Sequence, residues 1–119
     1  MTKVELQKRT KAFHVSVIKA CDQLPRNAAG FEIAKQLIRS AGSVGANYRA
    51  ACRGKSTADF IYKLEIVIEE ADESMYWLEV CVEAGLLDDE MAHPLISEAN
   101  ELTSIFVASV KTLKANNPK

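Results

Sequence analysis

Apolar residues return along this chain at alternating steps of three and four, the spacing that puts them on one side of an α-helix. Leu6, Thr10, Phe13, Val17, Ala20 and Leu24 keep that rhythm and predict a first helix over residues 4–24. Pro25 stops it, since proline cannot continue the hydrogen-bond ladder and restricts the residue before it. Asn27 is the expected N-cap of a second helix over 28–53, with Gly30 a weak point in its first turn. The inward stripe of this helix is Ala34, Leu37, Ala41, Val44, Tyr48 and Ala51. Gly54 is the expected left-handed residue that closes it, and Ser56-Thr57 with Asp59 and Phe60 open a third helix over 57–84. There Ile61, Leu64, Ile68, Ala71, Met75, Leu78 and Val82 hold a seven-residue repeat for three heptads, which implies near-parallel packing at a shallow angle. Gly85 ends the third helix, and Asp88 or Asp89 caps a fourth over 89–115 with Pro94 in its early turns. Ala92, Leu95, Ala99, Leu102, Phe106, Ser109 and Leu113 form its inward stripe. Four helices joined by such short connections predict one all-α domain over 1–119, an antiparallel up-down-up-down four-helix bundle.

With 119 residues the chain can bury one core without disulfides or a metal, and its 48% hydrophobic and 26% charged residues exclude a disordered chain. No stretch approaches the roughly 20 apolar residues of a membrane span, so no membrane partner is expected. Lys3, Glu5, Lys8, Arg9, Lys11 and Lys19 break up the first twenty residues, which leaves no apolar run for a signal peptide and points to the cytoplasm. Cys21, Cys52 and Cys81 are odd in number and far apart among apolar residues, and are expected to be reduced packing residues.

The net charge of −1 hides a division. Residues 1–63 hold twelve Lys and Arg against four acids, an excess of eight positive charges, whereas residues 64–119 hold three lysines against twelve acids, an excess of nine negative ones. A basic half can meet a polyanion, or the acidic half of another copy.

The run Arg39-Ser-Ala-Gly-Ser-Val-Gly-Ala-Asn-Tyr-Arg-Ala-Ala-Cys-Arg-Gly-Lys55 gives this division a place. Gly42 and Gly45 lie inside the helical pattern, where each costs about 1 kcal/mol relative to alanine. A closely approaching helix or partner backbone would offset that cost. Lys35, Arg39, Gly42, Ala46, Arg49 and Arg53 form a second line on this helix, with cations at both ends of a floor almost bare of side chains. One reading is a solvated basic face. The other is a shallow ledge for a phosphate backbone or a row of carboxylates, with Ser40, Ser43 and Asn47 close by.

The third helix has more apolar surface than one core needs. Ile66, Trp77 and Val80 share a line with Glu70 and Glu73. That line either widens the buried arc or forms a subunit interface, to which Gly42 and Ala46 would contribute from the second helix. Glu65, Glu69, Glu70, Asp72 and Glu73 form an acidic run, but no histidine follows any of them at the three-residue spacing of a bundle metal site. No glycine-rich phosphate loop, nucleophile elbow or Cys/His metal spacing is present, so neither metal nor cofactor is expected.

Taken together, Gln36-Leu-Ile-Arg-Ser-Ala-Gly-Ser-Val-Gly-Ala-Asn-Tyr, Asp59-Phe-Ile-Tyr-Lys-Leu, Glu69-Glu-Ala-Asp-Glu-Ser-Met-Tyr-Trp-Leu and Ala84-Gly-Leu-Leu resemble the small bacterial four-helix-bundle family of 23S rRNA intervening-sequence proteins. The resemblance covers nearly the whole chain. It implies an up-down bundle that assembles as a homo-oligomeric ring, a pentamer, in a family whose molecular role is mostly unassigned. It also implies kinship with the accessory proteins of diversity-generating retroelements, which look like partners of RNA and reverse transcriptase. The family's Asn-Ile-x-Glu-Gly pattern is here Asn47-Tyr-Arg-Ala-Ala-Cys-Arg-Gly54: the acid is missing and arginines stand nearby.

Three functions remain. The first is a non-catalytic oligomeric scaffold that binds nucleic acid, structured RNA in particular, through a basic patch of Lys35, Arg39, Ser43, Asn47, Arg49, Arg53 and Lys55. A pI near 6.1 stands against strong binding unless a ring concentrates that face. The second assigns the arginines to self-assembly, paired with Glu69, Glu70, Glu73 or Glu79 of the next copy. The third is a ribonuclease of the HEPN type built on the Arg-x4-His spacing of Arg9 and His14.

Overall fold

The computed structural model describes residues 1–117. It contains four helices and, among the described residues, no strand: α1 Lys3–Cys21, α2 Ala28–Cys52, α3 Thr57–Glu83 and α4 Asp89–Asn116. Each start has a local cause. Thr2 caps α1 in a reciprocal box with Glu5, the Asn27 side chain accepts from the Gly30 amide, and the Ser56 hydroxyl accepts from the Asp59 amide. Asp88 takes the N-cap position of α4 without a side-chain bond.

The ends depart from expectation in two places. Helix α1 stops at Cys21, three residues before the predicted end, and Gln23 and Leu24 bond back to Ala20 and Cys21 in a tight turn that still buries Leu24. Gly54 is not left-handed; Gly85, at φ 71°, is the glycine that is. What Gly54 supplies is space, because a Cβ there would run into the Asp59 carboxylate. At Gly30 a Cβ would strike the Pro25 carbonyl, so this glycine lets the first turn of α2 fold against the α1–α2 connection.

The bundle direction follows from its contacts. Gly42 faces His14 and Gly45 faces Thr10, so α2 runs antiparallel to α1. The Lys114 ammonium meets Glu65 at 2.9 Å, which brings the end of α4 back to the start of α3. Lys3 sits 4.7 Å over the Phe60 ring, placing the starts of α1 and α3 at one end. Together these give the up-down-up-down order, 49 × 23 × 20 Å overall. Helix α1 meets α4 along a shorter seam than α2 shares with α3 or α3 with α4.

Leu6, Thr10, Phe13, Val17, Ala20 and Leu24 are all buried as expected, and Tyr48 and Phe106 stack at 5.0 Å in the centre. On α3 the seam differs. Leu64, Ala71 and Leu78 are buried as expected, but the residues between them are Val67, Ser74 and Cys81 rather than Ile68, Met75 and Val82. A helix wedged between two neighbours buries an arc wider than one seam, so the three predicted residues and Ile61 flank the core half-buried. Ser74 belongs at the centre because its hydroxyl bonds across to Ser40 at 3.0 Å, and Ser40 in turn donates to the Leu37 carbonyl. On α4, Val110 is buried in place of Ser109, whose hydroxyl donates to Ile105 one turn back. Ala34 and Leu113 are half-buried at the margins.

The cysteines are free thiols. Cys81 is buried, Cys21 and Cys52 half-buried, and burial pushes the Cys21 thiol up to about 11. None of the four helices is long and apolar enough to cross a membrane.

A cationic groove between the first two helices

Where α1 and α2 pass closest, a groove of about 550 Å³ opens on the outside of the bundle. Its floor is Gly42, Gly45 and Ala46 of α2, and its apolar end is Val4 of α1. Lys8 and Lys11 rise from the α1 wall, Arg49 and Arg53 from the α2 wall. Their placement follows from helical geometry: residues 4, 7, 8, 11 and 14 of α1 share one face, and residues 42, 45, 46 and 49 of α2 share another, which its C-cap Arg53 continues. The antiparallel register, 14 against 42 and 10 against 45, brings these faces together.

The two glycines differ in what they allow. At Gly42 an added methyl would lie 2.9 Å from His14 Nε2, so the imidazole that covers that end of the floor would have to swing aside. At Gly45 the nearest atoms, the Thr10 carbonyl carbon and oxygen, are 3.5 Å away, an ordinary contact for a methyl. Packing of α1 on α2 therefore does not demand glycine at 45. Its cost to the helix leaves the floor lower than alanine would.

All four groove cations are exposed, and among the described residues none of them takes part in an ion pair. The remaining predicted ligands lie elsewhere. Arg39 reaches across to α3, where Glu70 accepts at 3.3 Å and Glu73 also pairs with it. It cannot serve as an open cation at the end of a ledge, because two carboxylates on the neighbouring helix already hold it. Lys35 is exposed but does not line the groove, and Lys55 lies in the turn after α2. The Asn47 amide donates to the Ser43 carbonyl at 2.9 Å, a bond within its own helix.

The second line on α3 is organised around the same Arg39. The Trp77 indole N–H donates to Glu73 at 3.0 Å, and this bond, followed by Arg39, holds the Glu73 carboxyl below the usual range. Trp77 and Val80 are half-buried against the core, Ile66 is half-buried, and Glu70 and Glu73 already have a partner within the chain.

Arg9 and His14 separate. The Arg9 guanidinium grips Glu98 of α4 at 2.7 and 2.8 Å and Glu101 at 2.6 Å, while His14 turns to Gly42 of α2. Five residues along a helix is close to half a turn off, so the motif spacing puts the two side chains on different seams. Sequence reasoning missed Lys8 and Lys11 as partners of Arg49 and Arg53; the available signal was the line through residues 4, 7, 8, 11 and 14 on the outer face of α1.

Gly45→Ala is expected to raise stability by about 0.5–1 kcal/mol in urea unfolding, since the methyl fits and the helix gains its propensity; a loss would mean that α1 needs the glycine. Glu73→Gln is expected to cost under about 1 kcal/mol at pH 7, discounted for its partial exposure. Because Glu73 is held low in the folded state, its contribution is complete above the ordinary carboxylate range and disappears as pH falls through the lowered value. The gap between wild type and Glu73→Gln should thus narrow as pH falls below the ordinary carboxylate range, followed by fluorescence of Trp77, the one tryptophan.

Comparison with known proteins agrees with this architecture. The family model described as 23S rRNA-intervening sequence protein matches residues 2–108. A solved structure from Bacteroides thetaiotaomicron VPI-5482, described as a protein with unknown function from the S23 ribosomal protein family, superposes with a TM-score of 0.85. It is 30% identical, and the match covers 93% of this chain and 99% of that one. No curated protein matches. With a family match over nearly its whole length and a bundle of the same shape, this chain belongs to the 23S rRNA-intervening sequence protein family.

Proposed function

We propose that this protein is a non-catalytic binding protein that holds RNA phosphates in the α1–α2 groove and acts as a ring of identical copies, five by family resemblance. The observation that carries the RNA part is the convergence of Lys8, Lys11, Arg49 and Arg53 on one groove without a carboxylate among its lining residues. Exposed cations that have given up no partner bind phosphate without first breaking an ion pair, and they release counterions from the nucleic acid when they do. Three cations outside the groove are held by the acidic half of the chain: Glu98 and Glu101 take Arg9, Glu70 and Glu73 take Arg39, and Glu65 takes Lys114. The modest overall pI therefore says little about the local field of the groove.

The ring reading draws on the basic groove side and acidic α3–α4 side, unlike surfaces of the kind that close head to tail. It also draws on Val15 and Ile18 of α1 and Val107 of α4, large apolar side chains left exposed. The non-catalytic reading draws on Arg9, whose guanidinium is bound to two carboxylates on a different seam from His14. Self-assembly through the arginines alone has less support, because Arg39 finds Glu70 and Glu73 in its own chain.

The test is RNA titration of the oligomer at two salt concentrations. Four neutralised phosphates per copy predict a log–log slope near −3, a roughly 50-fold loss of affinity between 50 and 200 mM salt. The double variant Arg49→Glu/Arg53→Glu should abolish binding with the assembly mass unchanged in light scattering. Salt-insensitive or absent binding would refute the RNA reading, and loss of the assembly in the double variant would transfer the arginines to self-association.

A further inference from the structure

Resting on that reading, we infer that the groove takes one unpaired strand lying lengthwise between α1 and α2, an exposed loop or end of a folded RNA, rather than the backbone of a duplex. Three observations lead there. The first is the distribution of polarity. Gly42, Gly45 and Ala46 of the floor are apolar, while the four cations, with Gln7 and His14, stand on the walls around them. A duplex presents its phosphates as a convex ridge with the sugars turned inward, which would press charged oxygens onto an apolar floor and strip their water with nothing in return. A single strand can lie on its side, its sugars and bases over the floor and its phosphates turned to the rims.

The second is that cations rise from both walls. Lys8 and Lys11 face Arg49 and Arg53 across one floor, so a strand between them is reached from both sides. A duplex ridge resting on the groove mouth has no such second side within the floor. The third is length. Gly42 to Arg53 spans eleven helical steps, about 16 Å, and successive cations on one wall lie roughly 4–6 Å apart. That matches a few nucleotides of extended strand, with neighbouring phosphates meeting neighbouring side chains. His14, folded over Gly42, closes the far end of the floor. Beside the four cations, Gln7 and His14 are the polar side chains that line the groove, too few to read a run of bases, so recognition is of strandedness rather than sequence.

Ala46 provides the test, since it is exposed on the floor and carries no charge. Ala46→Leu fills the groove with a good helix former and leaves all four cations in place. In fluorescence anisotropy with a ten-nucleotide oligouridine and a blunt RNA duplex of equal length, the wild-type assembly is expected to bind the single strand at least tenfold more tightly. Ala46→Leu is expected to weaken single-strand binding at least tenfold with an unchanged circular dichroism spectrum and melting temperature. Equal or tighter binding of the duplex, or full binding by Ala46→Leu, would overturn the single-strand inference. If Arg49→Glu/Arg53→Glu still abolished binding in that case, the RNA reading would survive without it; if wild type bound neither RNA, both would fall.

Discussion

The close passage of α1 over the small residues of α2 is the constraint from which the rest of this structure follows. Two helices with ordinary side chains between them stay about 8–10 Å apart and fill their own seam. Here Gly42 lies under the His14 ring and Gly45 beside the Thr10 backbone, in an antiparallel register of the two helices. The same register brings Lys8 and Lys11 of one wall and Arg49 and Arg53 of the other to a single groove, staggered along it. Sequence composition, helix contact and groove are thus one feature seen at three scales. The glycine at 45, where a methyl would fit, sacrifices helix stability for a lower floor.

Charge is sorted by the fold in a way that totals conceal. The acids of the second half of the chain are drawn to cations that project from α1 and α2 towards α3 and α4. The cations that project the other way, into the α1–α2 groove, share it with small residues, Val4, Gln7 and His14, and with no carboxylate. A chain of net charge −1 can therefore carry a cationic strip on one face. The Glu73 carboxyl illustrates the opposite face: held by Trp77 and Arg39 of its own chain, it belongs to a network that ties α2 to α3.

Much of the bundle was legible in the sequence because a helix writes its buried face in a simple period. The six-residue stripe of α1 is buried throughout, and Asn27 caps α2 as its side chain suggests. The family resemblance was legible as well, carried by the small-residue run and the segments around Asp59 and Glu69. Less legible was anything set by two helices jointly. On α3, Ile68 and Met75 look more buried than Val67 and Ser74, yet position between α2 and α4 outranks hydrophobicity, and Ser74 finds Ser40 across the seam. The ledge on α2 was half seen. Gly42, Ala46, Arg49 and Arg53 do share a strip, but Arg39 bends away to α3, and the lysines that complete the strip come from α1. No periodicity within one helix encodes the register against another.

The central claim, that the α1–α2 groove is where RNA phosphates bind, is most directly tested by lysine footprinting. Acetylation rates of individual lysines would be measured by mass spectrometry with and without an RNA that the protein binds. The account predicts that RNA slows modification of Lys8 and Lys11 and leaves Lys35 and Lys111 unchanged. Equal protection of all lysines, or protection of Lys35 with Lys8 and Lys11 still reactive, would contradict it.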